Sequence, residues 1–345
     1  MKIEYIEFIN ESLIEEWKSL WDSSVCAHFF NSYVWFQICS EVYPDLKPVI
    51  ICIRHKNKLK ALLPLVLVKK FGISFYTNPG GLFVDRSALL IDKYETATIN
   101  TLFNALKAKG SFVLTEVPED LASLFSQRGI EKLETGVNLQ LPFENNPFRF
   151  VKSKNMRKIK KVYEEYGRDI SFEMNRGSVQ SLKIAMKIDR ISYRQKKNIG
   201  TFNNPLNRAF FASLVKNGRD NIGMNVLYYK KKPIAYEIGV RSGKIYHGIN
   251  KSFNNSYAFL TPGKILAYSL FEGLHKEGME LFDFSRGDDM LKRSFTSISK
   301  MQYDIYYTNN LAARILLVNL SKLRKKLVSN RLFYSNYRKL VSLKK

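Results

Sequence analysis

With 345 residues, 45% of them apolar, and a net charge of +24, the chain is long enough for two domains and suited to polyanions: nucleic acid, anionic lipid or phosphorylated ligands. Its cysteines, Cys26, Cys39 and Cys52, show no Cys-x-x-Cys or Cys/His ligand spacing, which argues against a metal site and for reduced core thiols in a cytosolic protein. No run reaches the roughly 20 apolar residues of a membrane span, and the acid-bearing start MKIEYIEFINESLIEEW does not read as a signal peptide.

The first half reads as mixed α/β. Lys2 to Phe8 alternates as a strand, and Glu11 to Trp21 and Tyr33 to Val42 are helix-like. Pro48 to Arg54 and Lys60 to Val68 form a hairpin through the polar turn at His55 to Lys58. Ile73 to Tyr76 is a short strand before the turn Asn78-Pro79-Gly80-Gly81. A helix over Tyr94 to Lys109 stops at Gly110, then come a strand, Ser111 to Glu116, a helix, Pro118 to Arg128, and a strand, Val137 to Leu141. The stretch Leu141 to Pro147, with two prolines and paired asparagines, reads as a linker between domains at 1–142 and 143–310.

The second half opens on a basic helix, Ser153 to Tyr166, and then repeats the order. Ile170 to Asn175 is a strand, and Ser178 to Lys197 and Pro205 to Asn217 are helices. Gly223 to Tyr229, Pro233 to Arg241 and Lys244 to Asn250 are successive strands joined by short turns. A helix begins at Pro262 and stops at Gly278. It is followed by the strand Leu281 to Phe284, a short helix over Met290 to Phe295, and the strand Met301 to Thr308. Leaving the basic helix aside, both halves read β-α-α-β-β-β-α-β-α-β. The tail at 311–345 holds no acid and mixes Leu, Ile, Val, Phe and Tyr with Lys and Arg. It reads either as a basic amphipathic segment for an anionic membrane surface or as a helix packed back on the protein.

The stretch Tyr257 to Phe295 is the most site-like. Thr261 as cap, Pro262 at the first helical position, Gly263 allowing close approach to the backbone, and Lys264 would together suit a phosphate or pyrophosphate. Asp283, between Phe282 and Phe284 on a strand, faces opposite to them. It is a candidate base with a raised pKa, or a structural acid paired with Arg286 or Arg293. Asp288 in the following loop is its rival. His247 and Tyr246 lie on a central strand, His247 as a group titrating near neutrality. The basic helix presents Lys152, Lys154, Arg157, Lys158, Lys160 and Lys161, a face for solvent or for a phosphorylated acceptor. It lacks the interleaved aromatics of a dedicated nucleic-acid module.

With these residues placed, the sequence resembles the CelD/BioF-like GNAT acetyltransferases, distant relatives of the Fem peptidyltransferases. Over roughly 1 to 310, Ser256 to Leu266 resembles that family's Ser-Pro-Gly-x-x-Leu helix start. Phe282 to Asp288 matches its Asp-Phe-x-x-Gly-Asp strand and loop, and Lys292 and Phe295 match the Tyr-Lys-x-x-Phe/Trp motif beyond it. Ser153 to Lys161 is similar to its basic helix, and Gly223 to Gly239 to its Pro-Ile-Ala hairpin. Leu291 stands where the family usually has Tyr, and Thr261 where it has Ser; the phosphate loop of ordinary GNAT enzymes is absent. The resemblance implies an α/β fold of two tandem GNAT-like domains, each a mixed central sheet flanked by helices. It implies a metal-free transfer from acetyl-CoA, held at Thr261 to Lys264, to an amino group of a sugar or sugar-linked envelope intermediate. A Fem-like transfer from charged tRNA, or a scaffold role at the membrane, are the alternatives. Lys292 would meet the acceptor or offset a developing oxyanion, Tyr246 would protonate the thiolate, and Arg157 and Arg286 would contact the acceptor.

Overall fold

The computed structural model describes all residues except 46, 71, 126–129, 197–198, 312–313, 316–318 and 320–345, and the side chains at 70, 82, 193 and 196. The proposed membrane-binding tail at 311–345 therefore lies almost wholly outside the described residues. Two compact units emerge: one from 1–33, 44–136 and the chain beyond 301, the other from 34–43 and 137–300.

In the first unit, β1 (Lys2–Ile6) leads into α1 (Glu11–Ser23), whose N-terminus is capped by Asn10 accepting the Leu13 N–H at 2.9 Å. The next helix, α2 (Tyr33–Val42), belongs almost entirely to the second unit. Strands β2 (Pro48–His55), β3 (Lys58–Lys70), β4 (Ile73–Thr77) and the two-residue β5 (Leu90–Ile91) follow, then α3 (Thr96–Lys109), β6 (Phe112–Pro118), α4 (Glu119–Ser123) and the first half of β7 (Ile130–Pro142). The sheet order is β1-β2-β3-β4-β6, completed by the last strand, Ser299–Tyr307. All these pairs are antiparallel except β4 with β6. Leu63, Leu65, Phe103, Leu106, Phe112 and Ile305 anchor the core.

The second unit takes up β7 from Val137. It continues with α5 (Ser153–Tyr166), β8 (Ile170–Arg176), α6 (Val179–Arg190), α7 (Tyr193–Lys196), α8 (Pro205–Gly218), β9 (Ile222–Tyr229), β10 (Lys232–Ser242), β11 (Ile245–Phe253), α9 (Pro262–Lys276) and β12 (Leu281–Arg286); the strand at Ser299 is β13. The sheet order is β7-β12-β11-β10-β9-β8, with β11 and β12 parallel and the other pairs antiparallel. One face is filled by Leu266, Leu270 and Phe271 of α9 against Phe282, Phe284 and Phe295. Each unit thus has three antiparallel strands, a helix, and a strand returning parallel to the third.

Several expected boundaries move. β7 runs through Pro142, with Leu141 paired to Phe282, so the expected linker begins two residues later than its prolines suggest. The helix expected to reach Lys197 ends at Arg190, where the Ser192 hydroxyl turns back to the Asp189 carbonyl at 2.8 Å. The short helix near Met290 is a single 3-10 turn, Lys292–Ser294.

Candidate functional site

β11 and β12 pair over only three positions, Ile245 with Leu281, Tyr246 with Phe282 and His247 with Asp283. Beyond them β11 continues beside β10 as far as Phe253, while β12 shifts register against β7 between Asp283 and Arg286. The cause is local. Ser285 sits at φ +58, and its N–H is taken at 2.8 Å by the Asp283 carboxylate. A backbone donor bound to a side chain cannot continue a ladder, so the strands splay. From Gly248 to Ser252, β11 pairs with β10 and with no second strand among the described residues.

Two side-chain groups line the two faces of this sheet. On one face, Asp283 also accepts from Gln140 Nε2 at 3.1 Å and lies 3.9 Å from His247 Nδ1. It is buried and holds the strand kink; Arg293 pairs instead with Asp288, in a two-pronged contact of 2.8 Å each. That contact holds the exposed Asp288 carboxyl below its ordinary value, which weakens it as a base.

On the opposite face, Tyr246 donates to Glu237 Oε2 at 2.7 Å, and Asn225 Nδ2 donates to the same oxygen at 2.7 Å and to the Tyr246 hydroxyl at 2.8 Å. The Tyr246 ring stacks on Phe282 at 5.4 Å. It lies over Gly223 and Gly239, where a Cβ would come within 2.4 and 2.3 Å of it. Glu237 Oε1 is buried without a hydrogen-bond partner among the described residues and lies 3.2 Å from where a Cβ on Gly248 would stand. Gly248 is the first residue of β11 past its last pair with β12, so this oxygen faces the start of the splay. Burial, opposed by the Tyr246 and Asn225 hydrogen bonds, raises the Glu237 carboxyl to about 7. Tyr246 is fully buried, with its hydroxyl proton given to Glu237.

Opposite Glu237 in the β10–β11 register stands Lys251. Its ammonium lies 5.6 Å from the centre of the Phe284 ring, reaching from one splayed strand to the other, and makes no hydrogen bond or ion pair among the described residues. Burial lowers its pKa, against the pull of Asp289 and Glu237, and Arg194 adds to the lowering.

The start of α9 departs from the expected cap. Thr261 adopts φ +47, ψ +54, and its side chain caps nothing; its buried hydroxyl has no partner among the described residues. A left-handed residue directs its Oγ away from the N–H groups a normal cap would reach. The backbone does the work: the Lys264 N–H closes onto the Thr261 carbonyl at 2.8 Å, leaving the Gly263 N–H as a first-turn donor the helix does not use. A Cβ on Gly263 would meet only Leu291, at 3.5 Å, so nothing in the protein itself demands glycine there. Lys264 Nζ bonds to Asn155 of α5, whose amide donates to the Ser294 carbonyl at 2.9 Å. Burial, then the nearby ammoniums of Lys158 and Lys154, lower the Lys264 pKa. Three like charges gathered at a helix N-terminus favour an anion between them.

The sequence candidates therefore divide. Thr261 to Lys264 and the basic face of α5 come together, while Arg157 is exposed on that helix. Asp283 and His247 share one face and Tyr246 the other. Lys292 is buried, with its ammonium donating to the carbonyls of Ser285, Arg286 and Gly287 at 3.3, 2.6 and 3.0 Å. Arg286 is half-buried at the end of β12. Sequence reading missed Asn225, Glu237 and Lys251; the one visible signal was Glu237 as the sole acid in the apolar strand Pro233–Val240. No cluster of three His, Cys, Asp or Glu suited to a metal occurs among the described residues.

Residues 151–293 match the acetyltransferase (GNAT) domain family. No curated protein matches the chain in sequence. Its fold is similar to that of FemX, with a TM-score of 0.67 at 10% identity, over 91% of this chain and 99% of that one. It is also similar to L-PGS from Bacillus licheniformis, with a TM-score of 0.58 at 12% identity, over 93% and 98% of the two chains. The C-terminal domain of a putative lysylphosphatidylglycerol synthetase from Agrobacterium fabrum gives 0.58 at 12%, over 90% and 95%. These likenesses concern the fold: an α/β chain of two GNAT-like units, each a mixed sheet flanked by helices.

Proposed function

We propose that this protein is an acyltransferase whose second unit binds an acyl donor in the splay between β11 and β12 and passes the acyl group to an amine. The observation that carries this reading is the splay itself, ending beside the cationic start of α9. Acyl transfer needs an extended thioester arm held along a backbone, an anchor for its phosphates, and a dry place for the carbonyl. The edge of β11 from Gly248 to Ser252, which meets no second strand among the described residues, offers N–H and C=O groups to the amides of such an arm. Gly263 N–H, Lys264, Lys154 and Lys158 suit a diphosphate. Phe282 and Phe284 make the inner wall apolar.

The donor we favour is acetyl-CoA, which fits a diphosphate seat and a splayed edge. The narrower resemblance, to CelD/BioF-like acetyltransferases, favours as acceptor an amino group of a sugar or sugar-linked intermediate in bacterial envelope or polysaccharide synthesis. The acidic groups of such an intermediate would meet the basic face of α5 and Arg286. Among the described residues no helix is long and apolar enough to cross a membrane; cytoplasmic placement, with the tail touching an anionic membrane, is part of the same proposal.

Isothermal titration calorimetry with acetyl-CoA at low salt tests the reading. Saturable binding is expected, weakened about tenfold, or about 1.4 kcal/mol, by Lys264→Ala or Lys158→Ala. Absence of saturable binding would sink acyl-CoA as donor. Transfer from charged tRNA in its place would make the protein an aminoacyl transferase of the Fem kind.

A further inference from the structure

We propose that Lys251 is the base that takes the proton from the attacking amine, and that Glu237, its partner across the β10–β11 register, positions and tunes it. This inference rests on the acyl-transfer reading of the same splay. Four other ionisable groups near the splay are already committed. Asp283 fixes the kink through the Ser285 N–H and Gln140. Asp288 is held by both arms of Arg293. The Lys292 ammonium donates to three carbonyls, and Tyr246 is sealed beneath its sheet. Lys251 alone among them combines a place between the splayed strands with an amine that binds no acceptor.

The charged groups facing it are Glu237 from β10, Asp289 from the loop after β12, and Arg194 from α7, with the Phe284 ring across the gap. Burial and the Arg194 cation favour the neutral amine, while the two carboxylates and the ring face favour the ammonium; burial is the largest of these. The unpartnered Glu237 Oε1 at the start of the splay supplies a carboxyl beside it, and Gly248 leaves room for that carboxyl.

The step balances without a further reactant. The acceptor nitrogen attacks the thioester carbonyl carbon; the C–N bond forms and the C–S bond breaks. The proton lost by nitrogen goes to Lys251 Nζ, which hands it to the departing thiolate and returns to the neutral amine. The products are an amide and a thiol.

Two measurements on the full chain test this. The first is pulse labelling with acetic anhydride across pH, read by peptide mass spectrometry. Lys251 is expected to label with a midpoint at lower pH than the exposed Lys160. Glu237→Gln should lower that midpoint further, since a nearby anion whose charge favours the ammonium is gone. An ordinary midpoint, or one unmoved in Glu237→Gln, overturns the proposal. The second is turnover with acetyl-CoA and an amine. Lys251→Arg is expected to lose about 10²- to 10⁴-fold in kcat, to keep its donor affinity, and to lose the rising limb of its pH–rate profile. In Lys251→Ala a tertiary amine, which cannot itself be acylated to a stable amide, should restore rate in proportion to its free base. Activity of Lys251→Arg within threefold of the parent overturns the role. If the parent binds no acyl-CoA, the acyl-CoA reading fails instead, and the labelling midpoint still decides for or against a base at Lys251.

Discussion

Tyr246 donates its phenolic proton to Glu237 across 2.7 Å inside a layer that solvent does not reach. The bond offsets part of the burial of the carboxyl, which still rises from an ordinary 4.5 to about 7. A folded acid with a raised pKa keeps its proton between those values while the unfolded chain has lost it. Stability from this group is therefore full below about pH 4.5, falls as pH rises toward 7, and is flat above. The amount is on the order of 3 kcal/mol. Urea unfolding of the parent and Glu237→Gln at pH 5 and pH 8 checks this: the parent should lose stability relative to the variant on going to pH 8. The carboxylates held low by cations, such as Glu4 and Glu16, act at more acid pH and in the opposite sense. Tyr246→Phe should cost about 1–3 kcal/mol and move the Glu237 transition to higher pH, because the lost bond favoured the ionised form.

The same ring explains a glycine. A Cβ on Gly239 would stand 2.3 and 2.5 Å from Tyr246 ring atoms and 2.6 Å from the His247 carbonyl oxygen. The ring is wedged on Phe282 and the carbonyl belongs to the ladder, so neither yields easily. Gly239→Ala should destabilise the unit by about 3 kcal/mol or more, at the upper end for overpacking. Gly263→Ala is the contrasting case, since its Cβ meets only Leu291 at 3.5 Å. It should leave thermal stability unchanged or raised by about 0.4–1 kcal/mol, yet weaken binding of acetyl-CoA at the start of α9. A parallel loss of stability in both variants would contradict this account.

Much of this was open to sequence reading because the periodic elements carry their own signals. The hairpins around His55 and Lys230 and the helix from Pro262 to the left-handed Gly278 stand within a residue or two of where turn chemistry predicts. The element order, repeated in both halves, pointed to the fold. The site was less legible. Whether Asp283 is a base or a pin depends on the positive φ of Ser285, which no residue type at that position announces. Glu237 and Lys251 lie fourteen residues apart in sequence and meet only through a register with a bulge at Ile238 and Gly239. Lys292 was expected from resemblance to face a substrate; three backbone carbonyls claim it, a contact invisible in a motif.

That contact makes Lys292 a structural residue first. Its ammonium bridges the carbonyls of residues 285 to 287, across the register shift of β12 against β7 and the end of that strand. Lys292→Met keeps the stem and removes the charge. It should cost about 1.5–3 kcal/mol, the range for a hydrogen-bonded buried charge, and raise hydrogen exchange at residues 285 to 289. Lys292→Arg should recover part of the stability, since its donors differ in geometry but not in sign. A variant that loses turnover with stability and exchange intact would return Lys292 to the reacting centre.

The second unit also depends on a segment far from it in sequence. α2 contributes Trp35, buried edge-on against Phe210 at 5.6 Å, and Glu41, which accepts from Ser213 Oγ at 2.7 Å and from Asn217 at 2.9 Å. These bonds hold the Glu41 carboxyl below its ordinary value, Ser213 contributing most. A fragment spanning 137–300 would lack this helix and leave Phe210 of α8 without part of its cover. Trp35→Ala in the full chain should cost about 3–5 kcal/mol. Glu41→Ala, a half-exposed group in water, should cost no more than about 1 kcal/mol. Following the unfolding of the second unit by hydrogen exchange at β9 and β10 separates the two. If Trp35→Ala leaves protection there unchanged and lowers it only in β2 and β3, α2 belongs energetically to the first unit, and the fragment 137–300 should fold alone.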